Sequence, residues 1–258
     1  MSKYIYQDDN TFFHRLDPRT KMLFTFAHYL VVTLWVSQIW LMLAVFAELV
    51  VLTFLTKSWN NLKKLLFIIV IIFVTGIIMW SLSSRGKTTL IGPITLEPIL
   101  MGVASGLRSA VGIFVSIILL TTTRNEEISQ GLIKIGLPYR VGFAFSTALR
   151  MAPTLMGTTS TVVDAQKSRG LDMEKGGLFE RIRKFVPLVV PAFLITMRST
   201  EQMAMAIESR GFGYQEKRSF YMKLAYAKWD YAWIAFSLLL MVAAIIISIL
   251  KWGVVFSL

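Results

Sequence analysis

The sequence predicts an all-α membrane protein: about five transmembrane helices, with a cytoplasmic helical domain inserted before the last of them. Three observations carry this. Of the 258 residues, 55% are apolar and the mean hydropathy is +0.62, above what ordinary soluble domains show. Apolar stretches close to the ~20 residues that a helix needs to cross a ~30 Å hydrocarbon core recur along the chain. A basic block of 107 residues, 124–230, separates the last stretch from the others and holds 16 of the 27 basic residues against 10 acidic ones.

The stretches follow in order. Residues 22–36 are apolar but short, and could extend through Ser37 and Gln38. Residues 39–56 are clear apart from Glu48. Residues 65–82 are the strongest, with an unbroken apolar run over 66–74. Residues 99–123 carry Arg108, and residues 231–250 close the series. This gives three expected regions: 1–123 with the N-terminal segment and four spans, 124–230 as the coupling block, and 231–258 with the last span.

Basic residues in membrane proteins mark cytoplasmic loops. Lys57, Lys63 and Lys64 follow the second stretch, whereas the turn at Ser37 and Gln38 is uncharged. The expected topology is a cell-membrane protein with N-terminus inside, 57–64 inside, 124–230 inside and C-terminus outside. Arg85 and Lys87 then lie outside, an exception softened by Glu97. The opening residues are polar and charged, unlike a cleavable signal peptide, so the first span is expected to direct insertion. The net charge of +12 is accounted for by this topology, and nucleic acid is not an expected partner.

Inside the block, residues 141–149 and 185–197 are apolar but too short to span, and Arg140, Arg150, Arg183, Lys184 and Arg198 bracket them closely. They read as buried faces of helices at or below the membrane surface; a six- or seven-span topology that counts them is the rival. Asn125 is read as the cap before Glu126 and Glu127, and Gly136 with Pro138 as a stop. A second helix is expected from about Tyr139 through Pro153 to Arg169, halted by Gly170. A third is expected past Pro187 and Pro191 to Arg210, halted by Gly211.

Catalytic chemistry is not visible. His14 and His28 are the only histidines and have no carboxylate at ligand spacing, so no metal site is expected. Cysteine is absent, which removes disulfide and thiol chemistry. Arg85-Gly86-Lys87-Thr88 imitates a phosphate loop, but Ser81 stands where that motif needs glycine. A lipid enzyme would want clustered Asp, His or Glu at a membrane face, which the sequence lacks. A self-sufficient carrier or channel, the alternative reading, would show repeats among its spans; here the repeat is cytoplasmic.

That repeat is Ala165-Gln166-Lys167-Ser168-Arg169-Gly170 and, 41 residues on, Ala206-Ile207-Glu208-Ser209-Arg210-Gly211. Either copy alone reads as a helix cap, because glycine follows helix ends and arginine complements the negative end of the helix dipole. A third copy, Ser84-Arg85-Gly86, shows that the tripeptide is common. The two cytoplasmic copies share the upstream alanine, the helix end and the basic setting. A planar guanidinium suits a groove of carboxylates and carbonyls, so Ala165, Ser168, Arg169, Gly170, Ala206, Ser209, Arg210 and Gly211 are the candidate docking residues.

With these residues in view, the chain resembles the transmembrane T components of energy-coupling factor (ECF) transporters, related to the CbiQ-type membrane subunits of cobalt and nickel importers. The likeness runs from Leu16-Asp17-Pro18-Arg19-Thr20-Lys21, where Asp17 suits an N-cap and Pro18 a first helical position. It continues through Gly136-Leu137-Pro138 and Ala148-Leu149-Arg150-Met151-Ala152-Pro153 to both arginine-tipped ends. Ser168 and Ser209 stand where the family has alanine. The resemblance implies a non-catalytic subunit of an ATP-binding-cassette (ABC) transporter for vitamin or micronutrient uptake. It implies two cytoplasmic ATPases as partners, which bind the ATP and magnesium, so that this chain needs no cofactor. It implies one membrane substrate-binding S component. Arg169 would dock on one ATPase and Arg210 on the other.

Two further expectations concern single residues. Met151, Met156, Met197, Met203 and Met205 read either as gap-fillers or as a plastic surface for exchangeable S components. Glu48 and Arg108 fall at similar depth in spans of the same direction, where an unpaired charge costs several kcal/mol, and are expected to pair. The other readings are that Arg108 reaches outward or that its span starts later.

Overall fold

A computed structural model describes residues 11–34, 38–83, 89–91, 94–172, 177–214 and 225–250. The chain divides into two compact units: Met1–Gly136 with Leu224–Leu258, and Leu137–Lys223. The first holds a 3-10 turn Phe12–Arg15, then α1 (Pro18–Leu34), α2 (Ile39–Leu55), α3 (Trp59–Lys63), α4 (Leu66–Ser83), α5 (Leu96–Thr122), α6 (Asn125–Ile135) and α9 (Lys228–Ile249); the second holds α7 (Tyr139–Ser168) and α8 (Leu178–Ser209).

α5 is the axis of the first unit and packs on α1, α2, α3 and α4. Its Ala104, Leu107, Val111, Phe114, Val115 and Ile118 are buried, recurring at the three- and four-residue steps of one helical face. Val111, Phe114, Val115 and Ile118 meet Phe24, Ala27 and Val31 of α1, Met42, Val45 and Leu49 of α2, and Leu240 and Ala244 of α9 in the main core, while Ala104 and Leu107 pack with Ile39 in a smaller one. α4 crosses α5 closely because glycines face the crossing. A Cβ on Gly102 would lie 2.6 Å from the Ile77 Cα, and one on Gly106 would lie 2.6 Å from the Phe73 ring. The outer side of α4 leaves Phe67, Val70, Val74 and Met79 exposed, as a lipid-facing helix does.

Residues 98–122 and α9 are long and apolar enough to cross a bilayer; α2 and 66–82 of α4 are apolar but shorter. α1 begins at Pro18 with Asp17 as its cap, as those two residues suggested, four residues before the apolar stretch. Other local expectations differ from the structure. A five-residue helix, α3, fills the basic turn after α2. Thr89–Ile91 and Ile94–Thr95 form a small antiparallel hairpin where no strand was expected; both segments carry the β-branched residues that favour extended backbone. α6 is capped by Arg124, not Asn125, and the Glu127 carboxylate accepts the Arg124 N–H at 3.3 Å. The imitation phosphate loop, with the Ser84-Arg85-Gly86 copy, lies outside the described residues.

Candidate functional site: two arginine-tipped helix ends

α7 and α8 each run unbroken through their prolines, Pro153 and Pro187 with Pro191. They lie antiparallel. At one end the Phe212 ring, just past α8, stacks near Phe143 of α7 at 4.5 Å and near Tyr139 at 6.0 Å. At the other end the Gln166 amide donates to the Pro187 carbonyl at 3.3 Å. Among the described residues of the unit, Gly142, Val162 and Leu188 are buried. The end of α7 therefore lies beside the first third of α8, and the end of α8 beside the start of α7. This sets the two arginines at opposite ends of the pair, up to about 45 Å apart for 30 residues rising ~1.5 Å each.

The two ends are conformational copies. At the first, the Gly170 N–H donates to the Lys167 carbonyl at 2.9 Å and the Leu171 N–H to the Gln166 carbonyl at 3.0 Å. At the second, the Gly211 N–H donates to Glu208 at 2.8 Å and the Phe212 N–H to Ile207 at 3.2 Å. This is the Schellman pattern, which closes the carbonyls a helix end leaves open. It requires a left-handed residue, and Gly170 (φ +90) and Gly211 (φ +71) supply it. Nothing lies within 4 Å of where a Cβ on either would sit, so backbone conformation, not space, selects glycine. Ser168 and Ser209 turn their hydroxyls back onto Asp164 and Ala206 carbonyls at 3.0 and 3.1 Å.

Glycine is thus explained locally, and arginine is not. Arg169 and Arg210 are the cap residues themselves, both exposed. Among the described residues neither guanidinium has an ion pair or side-chain hydrogen bond. Five donors in a fixed fork are held out from the end of a long helix, twice, in one geometry. Ala165 and Ala206 are exposed beside them.

Among the described residues the apolar runs 141–149 and 185–197 are mostly half-buried or exposed, with Gly142 and Leu188 the buried ones, where buried faces were expected. Phe185, Val186, Val189, Val190, Phe193 and Leu194 are each at least half exposed, and Leu188 is the buried one among them. Two paired helices cover only the sides they turn to each other, so the outer apolar faces stay open among the described residues. Met156, Met197 and Met205 are exposed on the same helices, with Met151 and Met203 half-buried.

Glu48 and Arg108 are not brought together. Glu48 Oε1 lies 3.7 Å from Nε2 of the fully buried His28, whose Nδ1 faces the Phe24 carbonyl at 2.9 Å. Arg108 is exposed on α5, and no described residue forms an ion pair with it. Matching depth along two helices says nothing about their rotation, which the core stripe of α5 fixes. Glu48 also edges an open, mainly apolar groove of about 570 Å³ with Phe12, Val51, Leu52, Trp229, Trp233 and Phe236.

Sequence reasoning missed a buried polar cluster at the start of α1. Asp17 accepts from the Arg19 backbone at 2.9 Å and grips its guanidinium at 3.0 Å through both oxygens. Asp230, buried at the start of α9, accepts the Asp17 N–H at 2.8 Å and the Ala227 N–H at 2.7 Å. Lys21, 1% exposed, donates to the carbonyls of Thr122 at 2.8 Å and His14 at 3.1 Å. The signal was the lysine directly before an apolar stretch, together with an aspartate 213 residues from its partner, a separation that no local pattern spans.

Comparison with known proteins fits this arrangement. The family model for CbiQ, described as cobalt transport protein, matches residues 9–222. The energy-coupling factor transporter transmembrane protein EcfT of Leuconostoc gelidum subsp. gasicomitatum is 33% identical over 94% of this chain and 94% of its own length. EcfT of Macrococcus caseolyticus is 32% identical over 85% of this chain and 88% of its own, and EcfT of Bacillus subtilis is 32% identical over 84% and 86%.

Proposed function

The chain belongs to the CbiQ family and to the T components of energy-coupling factor transporters, and from that premise we propose that it couples two cytoplasmic ATPases to a membrane S component for ATP-driven vitamin or micronutrient uptake. The observation that carries the reading is the pair of identical helix ends. Each presents an exposed arginine for which the described residues supply no ion pair or side-chain hydrogen bond. Arg169 would enter a groove on one ATPase and Arg210 the matching groove on the other, with Ala165, Ser168, Gly170, Ala206, Ser209 and Gly211 keeping the approach close. ATP and magnesium would be held by the ATPases, and this chain would supply no catalytic group.

The mechanism is positional. ATP-driven closure of the ATPases would draw their grooves together, and α7 and α8 would follow because each is gripped at one end. Antiparallel packing would turn that into a change of crossing angle, which would strain the contacts at the two ends, Phe143 with Phe212 and Gln166 with Pro187. The exposed apolar faces, with Met151, Met156, Met197, Met203 and Met205, would cover the S component, whose tilt would move substrate across the membrane. Work is transmitted only insofar as the helix pair binds the two ATPase states with different free energy. In this reading α1, α2, α4, α5 and α9 are the five spans, with the N-terminus and the α7–α8 unit cytoplasmic.

Co-purification of the chain with both ATPases tests the assignment, comparing wild type with Arg169→Ala, Arg210→Ala and the double variant. Each single variant should weaken assembly or uptake, and the double variant should abolish uptake. Full assembly and full substrate-driven ATP turnover in the double variant would overturn it. Uptake by the purified chain alone would favour a self-sufficient carrier.

A further inference from the structure

The first turn of α1 carries charge where a span should be apolar, and its bonds reach far along the chain. Three helix ends meet there, each facing a group of the sign its dipole favours. Asp17 caps the start of α1. Asp230 lies in the first turn of α9 and takes both its own Ala227 N–H and the Asp17 N–H. Lys21 donates to Thr122, the last residue of α5, whose carbonyl has no helical partner of its own. The Arg19 guanidinium, held by Asp17, lies 3.9 Å over the Tyr226 ring. α6 rests on the same turn: a Cβ on Gly131 would lie 2.5 Å from the Met22 methyl and 3.4 Å from the Pro18 Cβ.

These partners share a place in the chain. α5, α6 and Gly136 lead out to the α7–α8 unit, and Tyr226, Ala227 and Asp230 receive the chain on its return. Both connections of the coupling unit are therefore tied to one buried turn. A network of charged, directional bonds fits this place because it admits one arrangement, whereas apolar packing tolerates sliding. Buried charges cost several kcal/mol unless satisfied; here Asp17, Lys21 and Asp230 all have partners.

We infer that this turn is the fixed anchor through which displacement of the α7–α8 unit is passed to the membrane helices, with Asp17, Lys21 and Asp230 as its positioning residues. The inference rests on the coupling function proposed above and adds where the force enters the membrane part. The anchor stays closed through the cycle. Loosening it lets ATP hydrolysis proceed while the spans no longer follow.

The test uses the full complex of this chain, both ATPases and an S component, reconstituted in liposomes. Amount of assembled complex, ATP hydrolysis and substrate uptake are measured together. Asp230→Asn keeps the shape but points an amide at one of the two N–H donors. It should leave assembly and hydrolysis near wild type and lower uptake per ATP by about tenfold or more, within the span of known coupling energies. Unchanged uptake per ATP in the assembled complex overturns the anchor. If that variant does not fold, Tyr226→Leu keeps every hydrogen bond and removes the surface under Arg19; it should lower the same ratio, and an unchanged ratio counts equally against the anchor. A second arm exploits the absence of native cysteine. Phe12→Cys and Trp229→Cys, replacing exposed rings 5.4 Å apart, are bridged by a short dithiol-reactive linker. Uptake should survive bridging, and its loss would show that the turn must open. If the Arg169→Ala, Arg210→Ala double variant also transports normally, the coupling function has failed; if only the anchor variants do, the anchor alone has.

Discussion

Three glycines of α5 make one substitution into a graded experiment. At Gly112 an added Cβ would meet the Tyr29 ring at 3.5 Å, an ordinary contact. Gly112→Ala should therefore show only the helix-propensity gain, about 0.5–1 kcal/mol. At Gly106 the Cβ would come within 2.6 Å of the Phe73 ring, which can turn aside at a cost that roughly cancels the gain. At Gly102 it would meet backbone, 2.6 Å from the Ile77 Cα and 3.0 Å from its nitrogen. α4 must then retreat by about an ångström, and overpacking of this kind costs about 1–3 kcal/mol. Thermal unfolding of the purified protein in mild detergent, followed by circular dichroism, reads the difference. With ~2–4 °C per kcal/mol for a unit of this size, Gly112→Ala should melt slightly above wild type, Gly106→Ala near it and Gly102→Ala several degrees below. A Gly102→Ala protein as stable as Gly112→Ala would refute the close α4–α5 crossing.

The other predictions concern the helix ends and the buried lysine. Gly170→Ala and Gly211→Ala force a left-handed alanine at about 1–2 kcal/mol each, so exchange protection at the Leu171 and Phe212 amides should fall in the matching variant only. Lys21→Met keeps length but leaves the Thr122 and His14 carbonyls without their donor, a loss of about 1–3 kcal/mol readable as a lower melting temperature. Phe212→Ala removes the ring 4.5 Å from Phe143; spin labels at Ser168→Cys and Ser209→Cys should then give a broader distance distribution than in the parent.

What the sequence disclosed was local and periodic. Hydropathy located α2, α4, α5 and α9, and glycine directly after an arginine located the ends of α7 and α8 to within a residue. The start of α1 was readable from Asp17 and Pro18. What it hid depends on which way a helix is turned. Glu48 and Arg108 matched in depth, yet rotation sends Glu48 to His28 and Arg108 outward. Asp230 could not be linked to Asp17 because nothing in either neighbourhood records the other. The apolar runs of α7 and α8 gave the right helices but not their exposure, since hydropathy records that a residue is apolar and not which neighbour covers it. The candidate site was legible for a related reason: a helix end is written in consecutive residues, and this one is written twice.

If the two arginine-tipped ends of this chain meet two ATPases, photo-crosslinking should capture both contacts. A benzophenone amino acid is placed at Ser168 or Ser209, exposed and adjacent to each arginine, in the assembled complex. Adducts between this chain and an ATPase subunit should form from both positions and be lost when the neighbouring arginine is replaced by alanine. Adducts only with lipid or with the S component from both positions would contradict it.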